Sequence, residues 1–334
     1  GHCLSIRTQH QILLKSRHHI DETVSTMLDK RGGPYPPHNA ALGGLPSVIP
    51  DIPICAVFLA LYIGFAATNM ATLQINRRRS HKFLMSGMLF GFCMARITTL
   101  VLRIAWANRQ HNVRLAVAAN IFVNAGVLLV YIINLLLAQR ILRAKQPRIG
   151  WNPVLRVAYK VLYALVAAAL IMVITATVVS VYTLDRHTQA QCRDVQLAAI
   201  TLLLVITCLP ILHLLVAFLF PRSEQEETFG EGSMASKAIT VILSSALCIL
   251  IGGFKAGANW STPRPVTNPA WFHSKTAFYV FNFVLEILIL CVLALGRIDK
   301  RFHIPNGSTK PGDYTRLGLQ LDKGKGMERA PASR

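Results

Sequence analysis

Seven stretches of this chain, each close to twenty residues long, carry almost no charge. A helix needs about 20 apolar residues to cross ~30 Å of hydrocarbon at ~1.5 Å per residue, so these runs are expected to be membrane spans. They lie at approximately 52–75, 83–107, 113–138, 157–183, 195–220, 235–254 and 276–295. Each is expected to form one helix, because a chain in lipid must satisfy its backbone hydrogen bonds within itself. The short alternating segments of a membrane β-barrel are not seen. The fold expected is therefore an all-α integral membrane protein built as a bundle of seven transmembrane helices. The sixth run is the shortest and ends in GGFKAG, which leaves its far end poorly marked.

Composition agrees, since 15% of the 334 residues are charged and mean hydropathy is +0.43. A soluble domain carries about 25% charged residues. The net charge of +20 would suggest nucleic acid in a soluble protein. Here the basic residues sit between the apolar runs, where they set orientation and meet anionic headgroups, so no nucleic-acid partner is expected. Segments 76–82, 139–160, 221–237 and 297–316 together hold seventeen Lys and Arg, against seven in the alternate connections. By the positive-inside rule the heavier side is cytoplasmic. The N-terminus is then outside and the C-terminus inside, as an odd number of spans requires.

Three regions follow. Residues 1–51 are expected to form a mobile outer tail, since the Pro- and Gly-rich stretch RGGPYPPHNAALGGLPSVIPDIP resists regular helix. Residues 52–296 form the seven-helix domain, and 297–334 a basic cytoplasmic tail. Within that tail GRIDKRFH reads as an interfacial segment on anionic lipid, or equally as a solvated positive flank. The chain opens on Gly1 rather than Met, which fits a fragment or a processed form.

Ionisable groups inside spans are costly and point to function by default. Arg96 lies thirteen residues past Phe83, about 20 Å into the second span. Arg103 shares its face and is expected to snorkel to the outer interface. Glu286 reads as the only acid inside any span, about 16 Å below the outer surface. Asn282 is one turn above it, and Asn120 and Asn124 share a face of the third span. Arg96 and Glu286 reach similar depths, so pairing is the economical arrangement. Arg96, Arg103, Asn120, Asn124, Asn282 and Glu286 form the candidate intramembrane polar site. It reads either as a ligand or switch site, or as an ion pair with amide bonds that hold helices together.

Other features are weaker. His213, after Pro210, is expected to be a satisfied histidine beside a kink. Gly87–Gly91 and Gly253–Gly257 have the spacing of close helix packing. Asn259 begins a sequon on the outer side and Asn306 one on the inner side. Four of seven cysteines lie in apolar runs, and without CxxC or His/Cys spacing no metal or cofactor is expected. No nucleophile elbow, HExxH, P-loop or dinucleotide fingerprint appears, so no catalytic residue and no enzyme activity is expected. The seventh span has no internal lysine for a retinal Schiff base. The third ends in NLLLAQRILRA, without the acidic-Arg-Tyr signal of rhodopsin-like receptors, and the seventh lacks Asn-Pro-x-x-Tyr. Cys192, placed in the second outer loop, has no partner cysteine at the top of the third span.

The stretches HKFLMSGMLFGFCMARITTLVLRIAWA, NAGVLLVYIINLLLAQRILRAKQPRIGW and PAWFHSKTAFYVFNFVLEILILCVLALGRIDKRFHIPNGS resemble a fungal family of multi-pass membrane proteins of unknown function. Some of its members are named family C-like G-protein-coupled receptors. The resemblance spans roughly residues 42–308 and includes Arg96, Arg103, Asn134, Trp271, Glu286 and Asp299. It implies a seven-span protein and little more, and the large outer domain of true family C receptors is not expected. The function expected is a receptor-like or sensor protein of the plasma membrane rather than an internal one. The alternatives are a lipid or small-molecule transporter or facilitator, and a structural accessory protein. The partners expected are the bilayer, anionic lipid at the cytoplasmic face, and a G protein or a small-molecule or lipid ligand.

Overall fold

The computed structural model describes residues 33–35, 39–78, 83–221, 223–224, 226–305, 307–308 and 310–315. Arg79 and Lys82 of the first basic loop, Arg222, the second sequon's Asn306, Cys3 and residues from Arg316 onward lie outside these. Seven helices are long and apolar enough to cross a membrane among the described residues. They are α1 (Val48–Arg78), α2 (Leu84–Asn108), α3 (Val113–Lys145), α4 (Pro153–Tyr182), α5 (Arg186–Leu219), α6 (Met234–Trp260) and α7 (Lys275–Leu295).

Most of these helices begin where a short polar side chain takes up the free backbone N–H groups of the first turn. Asn112 accepts from Arg114 N and Leu115 N to start α3, and Asn152 from Val154 N to start α4. Asp185 accepts from His187 N and Thr188 N, Ser233 from Ser236 N, and Ser274 from Ala277 N. The Asp185 cap corrects one sequence boundary. The expected outer loop around 185–194 is the first turns of α5, and Cys192 is buried on that helix as a free thiol. The sixth span is corrected too, since α6 continues through Gly252, Gly253 and Lys255 to Trp260.

α1 packs against α2, and α2 against the first half of α3. The second half of α3 lies against α5 and α6, α4 against α5, and α7 closes the bundle between α6 and α1. In α3, 61% of the most apolar window is buried, against 17% in α1 and α4, so α3 runs through the middle and those two face outward. The outward side of α4 carries Val154, Val157, Val161, Leu165 and Ile171, as a lipid-facing helix requires. Of the two glycine pairs, Gly87 and Gly91 approach Leu73 and Leu129 at ordinary contact distance. Gly253 and Gly257 have open space where a Cβ would sit, so they are not a packing seam.

Two connecting regions pack more closely than their composition suggested. Residues 39–47 fold over the end of the bundle where α1 starts, instead of trailing away. Ala40 N donates to Arg264 O (2.8 Å), Gly43 and Pro46 are buried, and Tyr35 N reaches Val181 O (2.8 Å). At the opposite, Arg-rich face, the start of the expected basic tail also turns inward. Phe302 and Tyr314 are buried with Phe229, and Glu227 accepts from Gly312 N (2.7 Å) and Tyr314 N (2.9 Å). Arg301 donates to Ser236 Oγ (2.6 Å), while Arg297 and Lys300 stay exposed.

Candidate functional site

Arg96 of α2 and Glu286 of α7 meet face to face, both fully buried. The guanidinium is bidentate: Nε donates to Glu286 Oε2 (2.5 Å) and Nη2 to Oε1. That fork geometry is the strongest form of the interaction. Tyr62 of α1 donates to Glu286 Oε2 (3.2 Å), and Arg96 Nη1 donates to Phe122 O (3.2 Å) and Val123 O (2.9 Å). Phe92 and Phe283 flank the guanidinium with ring centroids at 5.5 and 5.8 Å.

Two irregular turns build this arrangement. α3 is interrupted at Val127, between Val113–Gly126 and Leu128–Lys145. There Val127 N–H turns to Ala125 O, leaving Val123 O, its usual acceptor in an α-helix, available to side chains. Gly126 gives the guanidinium room, since a Cβ there would lie 3.3 Å from Arg96 Cζ and Nη1. In α7 the segment Val280–Val284 is a π turn, a device found inside helices at functional sites. Asn282 sits within it, fully buried, its Nδ2 donating to Phe278 O (3.0 Å) and its Oδ1 without a partner.

A second cluster lies two helical turns nearer the α1 start. Arg103 does not snorkel outward but is 3% exposed, because Asp51 of α1 is buried beside it. Asp51 Oδ1 accepts from Arg103 Nη2 (2.9 Å) and Tyr279 Oη (2.6 Å), and Oδ2 from Lys275 Nζ (2.5 Å). Gly43 O accepts from Arg103 Nη2 (3.0 Å) and so pins the folded-over segment to the bundle. Glu286 is thus not the only acid within the helices. The sequence does not mark Asp51, which stands at the charged edge of the first apolar run, where an acid ordinarily faces water or caps a helix.

The remaining predicted residues lie elsewhere. Asn120 and Asn124 line a chamber of about 350 Å³ between α3, α4, α5 and α6, beneath Ala40–Leu42. Asn124 Nδ2 donates to Asn120 O (3.1 Å), and neither amide hydrogen-bonds Arg96. The chamber holds a residue the sequence reading placed in an outer connection, Lys255 of α6. Lys255 is 5% exposed, and its Nζ reaches Val123 O at 3.3 Å, the same carbonyl that Arg96 uses. Tyr131 also lines the chamber, 3% exposed, with a hydroxyl that has no partner. A second hollow, a vestibule of about 280 Å³, adjoins it and shares Ala40, Gln196, Asn259 and His273, with Arg193 in its lining. Burial holds the His273 imidazole below the ordinary histidine range. No carboxylate lines the chamber or this vestibule among the described residues.

His213 is satisfied as expected, its Nδ1 on Leu209 O (2.5 Å) and its ring stacked on Tyr159. Among the described residues no group of three or more metal-binding side chains gathers.

The match to known families falls on the second half of the chain. Residues 147–234 and 231–303 match the model of a family described as a protein of unknown function (DUF3112). The match covers α4 to α7, and with them Lys255, Asn282 and Glu286, but not Asp51, Arg96 or Arg103. No curated protein and no solved structure matches the chain.

Proposed function

We propose that this multi-pass membrane protein is a receptor-like sensor, in which the chamber beside Lys255 receives a small ligand and the Arg96–Glu286 pair relays its presence. The observation that carries the reading is the shared carbonyl of Val123. Lys255 reaches it from the chamber and Arg96 from the buried ion pair. A ligand that draws Lys255 away leaves that carbonyl to Arg96, whose carboxylate partner sits on α7 directly after the π turn. Irregular turns at Val127 and Val280–Val284 are the natural points for α3 and α7 to shift.

In this reading the α1-start face is outside and the Arg-rich face cytoplasmic, as the Lys and Arg bias requires. The exposed Arg297 and Lys300 then meet anionic lipid or a signalling partner. The broken helices also favour a second reading as a transporter, since discontinuous helices line many substrate sites in membranes.

Proximity labelling from the C-terminal end of the chain tests the choice. Enrichment of heterotrimeric G-protein α subunits over matched membrane controls supports the sensor. Their absence, together with flux of small amphiphiles through reconstituted vesicles, supports the transporter.

A further inference from the structure

We infer that the chamber binds an amphiphilic anion, with a carboxylate or phosphate head beside Lys255 and an aliphatic chain along the apolar walls. This inference rests on the ligand chamber of the sensor reading and names the class of molecule it takes.

The charge balance comes first. Arg96 and Lys255 are both buried and reach the same Val123 carbonyl, and Glu286 is held by both arms of the Arg96 guanidinium. That leaves the Lys255 ammonium with one long hydrogen bond to a carbonyl and, among the described residues, no carboxylate in the chamber lining. Two buried cations share one carboxylate, so the site is short of negative charge, and a bound anion supplies it. The polar groups point the same way. The Lys255 ammonium can only donate, and the Asn124 amide keeps one N–H beyond the one it gives to Asn120 O, so accepting oxygens suit the chamber. The vestibule repeats the sign, with Arg193 and without an acid among the described residues.

The walls ask for a tail. Val173, Leu203 and Leu204 give the space apolar walls, which a bare inorganic ion would leave uncovered. Size sets the limit. The chamber's 350 Å³ holds about ten to twelve water-sized groups at ~30 Å³ each. That suits one medium-length chain with its head.

The test uses the full-length protein in nanodiscs of phosphatidylcholine, which carry no anionic lipid. Equilibrium binding is measured for decanoate, decyl phosphate, decanol and inorganic phosphate. Decanoate or decyl phosphate should bind saturably and at least about tenfold tighter than decanol, a difference worth about 1.4 kcal/mol. The ratio between the two anions identifies the head. Inorganic phosphate should neither bind nor displace them. Lys255→Met should abolish the preference for the anions over decanol, and Lys255→Arg should keep it. Equal binding of decanoate and decanol in the unaltered protein overturns the inference without recourse to any variant. So does an anion preference that survives Lys255→Met, or displacement of decanoate by inorganic phosphate. Anion binding without G-protein enrichment would keep this site and remove the sensor reading. Enrichment without anion preference would do the reverse.

Discussion

Removing one member of a buried ion pair strands the other in a medium that cannot solvate it, at a cost of about 3–5 kcal/mol. The two partners here are not equivalent. After Arg96→Gln, Glu286 keeps the Tyr62 hydrogen bond and can be neutralised by a proton. After Glu286→Gln, the Arg96 guanidinium stays charged with only neutral oxygens to accept from it. Glu286→Gln should therefore destabilise more than Arg96→Gln in unfolding of the purified protein. The double substitution should recover much of the loss, and additive losses would show that the two residues do not interact. Lys255 should behave in the opposite sense. Replacing an unneutralised buried ammonium by Met removes a burial cost and should raise the stability of the ligand-free protein by about 1–3 kcal/mol. A fall in melting temperature would mean that Lys255 has a partner that binds it in the empty chamber. The Arg96–Glu286 contact was legible in the sequence because depth along a helix follows from residue count. Asp51 and Lys255 were not, because each stands where a charge also marks the edge of an apolar run.

At the scale of the helix, position is set by local breaks that composition does not reveal. The π turn of α7 adds a residue between Tyr279 and Glu286, yet VFNFV reads as ordinary apolar helix. The extra residue fixes the phase between the Asp51 cluster and the Arg96 pair, because one residue turns a helix by about 100°. The break in α3 is equally silent in sequence, and its consequence is testable at Gly126. Val at this position places branched carbons against the guanidinium, since even a Cβ would lie 3.3 Å from Arg96 Cζ. Gly126→Val should cost about 1–3 kcal/mol in unfolding free energy by overpacking. The cost should shrink when Arg96 is already Gln, whose shorter side chain leaves room. An undiminished cost in that background would place the strain elsewhere. Helix starts, by contrast, follow visible signals, as the Asn112, Asn152, Asp185 and Ser233 caps show. The start of α5 was misplaced because Arg186, Arg193 and Asp194 made a capped helix look like a loop.

For the molecule as a whole, the seven spans were readable from hydropathy alone, because a lipid-crossing backbone has few other solutions. Their packing around α3 was not readable, since it depends on contacts between distant segments. Orientation rests on the Lys and Arg bias, and two tags test it. A reporter after Arg316 should be cytoplasmic, and an epitope beside Gly44 should be reached from outside intact cells. Both ends on one side would require an even number of spans. The central claim is that occupancy of the chamber on the α1-start side is felt at the opposite, Arg-rich face. Hydrogen–deuterium exchange on the nanodisc protein, with and without decanoate, measures this most directly. The account predicts altered protection around Glu227 and between Ile298 and Tyr314, absent in Lys255→Met. Saturating decanoate that changes protection beside Lys255 and leaves the Arg-rich face unaltered would contradict it.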